Sequence, residues 1–219
     1  MILDEVQLSR HHGQFYLSKP ISQGILDDAL NSASRCPCRP STDVWRLYLV
    51  TDDALTRLKS ALSKEVSSST DTTVQTLTGS LKDTNSELGA VFDGVGRDER
   101  RGETETHRRV TKANFEFFGA PVGAILTMKK EVNHLEVMGV GMYLQSFLRA
   151  LAEMEVGSCV AASIAAYQEV VKREVGIAED LEVVFGIAIG HQDHEAGVKY
   201  VLGPREAAKM NHRVTFWVT

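Results

Sequence analysis

Between Val140 and Val156 the chain reads VGMYLQSFLRALAEMEV, and apolar residues fall on nearly every face of its helical wheel. Met142, Leu144, Phe147, Leu148, Leu151, Ala152 and Met154 leave only Gln145, Ser146, Arg149, Glu153 and Glu155 as polar interruptions. A helix packed on one side would carry a wider polar arc. At roughly 1.5 Å per residue it is about 25 Å long, and its internal charges argue against a membrane span. Something apolar must cover both sides, either from within one domain or as a second copy, because a homodimer core resembles a domain core cut in half.

With 219 residues, 43% hydrophobic and 24% charged, the chain can bury one substantial core, and one domain over residues 1–219 is expected. A formal charge of −5 gives no electrostatic reason to propose a nucleic-acid partner. The first residues, MILDEVQLSR, carry acids where a signal peptide has its apolar core, and no run reaches transmembrane length, so a soluble, cytoplasmic protein without a membrane partner is expected. Cys36, Cys38 and Cys159 cannot all pair, and the Cys-Pro-Cys spacing is too short for an ordinary zinc knuckle. Reduced thiols and no metal site follow as expectations.

Along the chain, residues 3–9 read as a short helix, followed by the polar, partly basic turn Arg10-His11-His12-Gly13-Gln14, a cluster that invites an anion. Ser22 is a plausible N-cap for a helix reaching about Arg35. Two prolines, Pro37 and Pro40, make the next stretch a shaped loop, and Trp45–Val50 has strand composition. Helical periodicity runs from Asp52 to about Leu62, and the Ser/Thr-rich segment beyond it reads as mobile. The densely charged residues 91–112 read as a solvated loop passing into a helix face. A β-rich run at Val122–Met128 precedes the central helix, which Gly157 would cap. A further helix from about Ala165 to Val175 closes at Gly176, Leu181–Ile189 reads as a buried strand, and Val214–Val218 is a candidate terminal strand. Helices separated by few strands indicate an α+β layer fold.

Three stretches, in this order and spacing, resemble the nitroreductase family: NFEFFGAPVGAILTM at 114–128, GMYLQSFLRALAEMEVGSC at 141–159 and GIAIGHQD at 186–193. Arg10 with the downstream KPIS, and Pro37 with Trp45, fall where that family has its arginine motif and its Pro-Ser…Asn-x-Gln-Pro-Trp loop. The resemblance covers nearly the whole chain. It implies a central mixed or antiparallel sheet flanked by helices, a long central helix at a homodimer interface, FMN as cofactor, NAD(P)H as reductant, and a small aromatic or conjugated molecule as acceptor.

Carried over residue by residue, the resemblance assigns the FMN phosphate to Arg10, His11, His12 and Gln14 together with Lys199 and Arg205, where cations suit a phosphate dianion. It assigns the ring edge to Pro37, Cys38, Arg39 and Ser41. Val160 and Ala161 fall where a backbone N–H faces flavin N5, and Ile164 stands where some relatives carry Trp, a lost aromatic expected to widen or reshape the pocket. Several of these positions depart from the family pattern: His12 replaces a serine, Gln14 a cation, Ser41 an asparagine and Asp43 a glutamine. The departures open a second expectation, a flavin-free protein using the same cavity for proton transfer, with His11, His12 or Asp43 as the candidate catalytic groups. A third is a binding protein without turnover.

Overall fold

The computed structural model describes residues 19–36, 44–68 and 112–193. The Ser22 hydroxyl accepts the Ile25 amide at 3.3 Å and starts α1 (Gln23–Ala33), the N-cap the sequence predicts. β1 (Trp45–Thr51) and α2 (Asp52–Ser68) follow. α2 runs beyond the expected end near Leu62, because Val66 continues its apolar stripe of Leu55, Leu58 and Leu62 onto the core. After a 3-10 turn (Phe117–Gly119) come β2 (Val122–Lys129), α3 (His134–Glu153) and β3 (Gly157–Ala161). A second 3-10 segment (Ala162–Tyr167) leads into α4 (Gln168–Val175), and β4 (Leu181–Gly190) closes the described chain.

The four strands form one antiparallel sheet in the order β1-β2-β4-β3. This is the expected α+β fold, with the sheet antiparallel rather than mixed. Strand alternation sends Leu47, Leu49, Val122, Ala124, Ile187 and Ile189 to one face, where α1 and α3 cover them. Val50, Ile125, Ala188, Cys159 and Ala161 face the other way, under α2 and α4. A bulge makes Val184 the extra residue of β4 opposite Leu126 and Thr127.

The central helix starts earlier than Val140. Asn133 Oδ1 accepts the Glu136 amide at 3.0 Å while Glu136 Oε2 accepts the Asn133 amide at 2.8 Å, a reciprocal cap that fixes the first turn. Its end also differs from expectation: Gly157 is not the cap but the first residue of β3. Glu155 takes the left-handed position with φ 59°, and the Val156 amide reaches back to the Leu151 carbonyl at 2.9 Å, a Schellman motif with glutamate at the position glycine usually holds. β3 itself was not anticipated, since GSCVA has one β-branched residue and only five positions. The helix expected from Ala165 divides into the 3-10 segment and α4, and Gly176 ends it at φ 76° as expected.

The apolar character of α3 on both sides is confined to its first half. Val140, Phe147 and Leu151 bury against the sheet, whereas Leu135, Met138 and Met142 on the outer side are 77%, 62% and 40% exposed. The outer side of the second half carries the Arg149–Glu153 ion pair instead. Among the described residues no helix is long and apolar enough to cross a membrane. The short helix expected at 3–9, the bulk of the charged stretch 91–112 and the terminal strand at 214–218 lie outside the described residues.

Candidate functional site

Two of the expected cofactor contacts, Val160 and Ala161, lie in the described part of the chain, at the end of the edge strand β3. Val160 pairs with Ile187 and so points to the face covered by α1 and α3. At this edge that cover gives out, leaving Val160 38% exposed. Ala161 turns to the opposite face and is wholly buried. Among the described residues β3 pairs only with β4, so alternate backbone N–H groups along it point away from the sheet. The chain then tightens into the 3-10 segment, whose first amides, at Ala162 and Ser163, have no acceptor within the helix. The side chains over these amides are an exposed alanine and a half-buried serine. The result is a small-residue ledge rich in backbone donors, against which a flat polar ring can lie.

Ile164 does not line this ledge. It is fully buried, packed with Phe117 and Ala161 beneath α2 and α4. Gly186 on β4 makes room for it. The 3-10 turn directs the side chain at 164 into the core, so it adds no surface to the ledge.

Cys159, immediately before the ledge in sequence, points inward. Burial pushes its thiol up to about 12, so it stays protonated and un-nucleophilic. Cys36, at the end of α1, is disulfide-bonded, so the expectation of reduced thiols holds for Cys159 and fails for Cys36. An odd cysteine count guarantees one thiol without saying which.

At the other end of β3, His191 follows β4 and its Nδ1 lies 3.2 Å from the Glu155 carbonyl. A carbonyl can only accept, so Nδ1 carries the proton. Partial burial and the nearby Lys19 ammonium hold the His191 pKa below its ordinary value. On the α3 side, Trp45 packs against Tyr143 with ring centroids 4.3 Å apart and ring planes tilted by 48°, and burial raises the pKa of the Tyr143 phenol. Sequence reasoning gave no role to His191 or Tyr143, although both lie in segments that carry the family resemblance. The remaining site expectations, Arg10, His11, His12, Gln14, Pro37, Cys38, Arg39, Ser41, Asp43, Lys199 and Arg205, lie outside the described residues.

Among the described residues, a four-stranded antiparallel sheet between helix pairs, with its edge strand ending in a backbone ledge, defines an α+β layer protein. The model of the nitroreductase family matches residues 8–191, and the chain belongs to that family. It is 25% identical over 210 residues to a 4-nitrobenzoate reductase of Pseudomonas putida, covering 94% of this chain and 92% of that protein. It is likewise 25% identical over 200 residues to a nitrobenzene nitroreductase of Ectopseudomonas oleovorans, covering 88% and 87%. Among solved structures, an FMN and NADPH-dependent nitroreductase, NfnB, from sphigopyxis sp. strain HMH superposes with a TM-score of 0.73 at 24% identity, covering 90% of this chain and 91% of that one.

Proposed function

We propose that this protein is an FMN-dependent NAD(P)H oxidoreductase that reduces a small nitroaromatic or similarly conjugated acceptor, and that residues 1–219 act as one domain within a homodimer. The observation that carries this reading is the ledge at Val160–Ser163. Alternate amides of β3 and the first amides of the 3-10 segment have no sheet partner, the side chains there are small, and no charge stands on the ledge, a donor set that suits a planar isoalloxazine. FMN, when bound, would supply the redox chemistry between NAD(P)H and the acceptor.

The protein's own residues position and shield. Backbone N–H groups of the ledge donate to ring acceptors without reorganising, because strand and 3-10 turn already hold them. Val160 and the buried layer behind it exclude water from that side of the ring. Arg10, Lys199 and Arg205 would hold the phosphate as charge-assisted donors, with Pro37, Cys38, Arg39 and Ser41 at the ring edge. The uncovered apolar face of α3 supports a partner copy, since Leu135, Met138 and Met142 are otherwise wetted. The relatives named as 4-nitrobenzoate and nitrobenzene reductases make these compounds the first acceptors to try.

The test is direct. Purified protein is expected to be yellow or to become so with added FMN, and then to oxidise NADPH or NADH in step with loss of 4-nitrobenzoate or nitrobenzene. A colourless protein that ignores added FMN and leaves the nicotinamide unoxidised would overturn the reading.

A further inference from the structure

We propose that His191 is a positioning residue for the cofactor-facing end of β3, acting through the turn that begins the strand. This rests on the flavin reading above. β3 has only five residues and, among the described residues, pairs on one side, so its placement depends on where the chain leaves α3. That exit is the Schellman turn at Met154–Val156, and it requires a left-handed residue. Glutamate occupies the position at φ 59°, where its β-carbon crowds the following carbonyl and glycine would not.

Three backbone bonds close the turn: Met154 and Val156 amides to the Leu151 carbonyl at 3.0 and 2.9 Å, and the Glu155 amide to the Ala152 carbonyl at 3.1 Å. The carbonyl of Glu155 takes no part in them. His191, 36 residues away in sequence, donates Nδ1–H to it. Residue 191 directly follows Gly190, and Gly190 is the register partner of Gly157, the first residue of β3. The imidazole thus ties the strained turn to the neighbouring strand at the point where β3 enters the sheet. Loss of that bond leaves the left-handed glutamate uncompensated and lets the strand's start, and with it the ledge at Val160–Ser163, shift.

The experiment compares His191→Ala, His191→Asn, Glu155→Gly and the His191→Ala/Glu155→Gly double variant in the full chain. Two readouts are taken: amide hydrogen exchange over residues 154–161 in cofactor-free protein, and FMN affinity from quenching of flavin fluorescence. His191→Ala is expected to speed exchange in that segment and to weaken FMN binding by roughly three- to tenfold, the worth of one partly exposed hydrogen bond. His191→Asn restores both, because its amide N–H can donate to the same carbonyl. The double variant also restores both, because glycine adopts the turn without strain. Unchanged exchange in His191→Ala, unchanged FMN affinity beside altered exchange, or failure of either rescue overturns the proposal. A wild-type protein that takes up no FMN removes the flavin reading instead, and the exchange pattern alone then upholds or removes the link between His191 and β3.

Discussion

Ile164 occupies the space that a side chain on Gly186 would need: a β-carbon there collides with Ile164 Cδ1 and crowds Phe117 Cε1 at 3.3 Å. Gly123 on the neighbouring strand is flattened for the same ring, with Leu55 Cδ1 2.8 Å and Phe117 Cε1 3.0 Å from its would-be β-carbon. Two glycines on one sheet face thus form the niche that seats Phe117 and Ile164. Gly186→Ala is expected to destabilise the protein by about 1–3 kcal/mol through overpacking. Shortening the opposing side chain in the Ile164→Ala/Gly186→Ala variant should cost less than the sum of the single changes, since the two residues share one space. Urea unfolding of the four proteins decides it, and strict additivity would mean that the niche is not shared.

Cys159 makes a chemical prediction. Its thiol is buried and pushed up to about 12, so almost no thiolate exists at neutral or mildly alkaline pH. Native protein treated with a thiol-directed alkylating reagent at pH 8 should leave Cys159 unmodified, and the same treatment in denaturant should modify it fully. Mass spectrometry of the peptide around residue 159 reads the result. Rapid native labelling would show that the core around β3 opens.

The His191 shift predicts a pH dependence of stability. Its folded pKa lies below the ordinary value of 6.5, so between the two values the unfolded chain binds more protons than the folded one. Stability should therefore fall as pH drops through 6.5 and level off once the folded pKa is passed. His191→Asn lacks this titration, so the stability difference between wild type and variant should move against the wild type from pH 8 to pH 5. A constant difference would mean that desolvation and Lys19 do not shift this group.

The fold was legible where local signals agreed with packing. Ser22, the β-rich runs at 45 and 122, and the left-handed Gly176 each carry their structural role in residue type. Glu155 shows why the rest was not. Glycine is the usual residue at a Schellman turn, so Gly157 signals a helix end in the sequence and Glu155 does not. The early start of α3 was missed because Asn133 and Glu136 lie in the polar turn before the apolar run. At the candidate site, family resemblance singled out Val160 and Ala161, but their opposite orientations follow from register with β4. Ile164 likewise depends on a 3-10 turn that no residue in it announces.

The outer face of α3 supplies the last prediction. Met138 is 62% exposed between Leu135 and Met142, and a β-carbon on Gly141 beside them would meet nothing within 4 Å. In a protomer alone this is a wetted apolar patch with a glycine gap, while the inner side of the same helix already packs on the sheet. A second copy that fills the patch buries it. Met138→Asp places a charge at its centre without touching the inner face, so it should leave the protomer's secondary structure intact and shift the protein from dimer to monomer in sedimentation. A control with the same charge at exposed Ser60 on α2 should remain dimeric. Because a desolvated, unpaired carboxylate in an interface costs several kcal/mol, the shift should appear at micromolar protein and be accompanied by loss of FMN binding if the partner copy helps complete the site. A Met138→Asp protein that sediments as wild type would place the interface elsewhere.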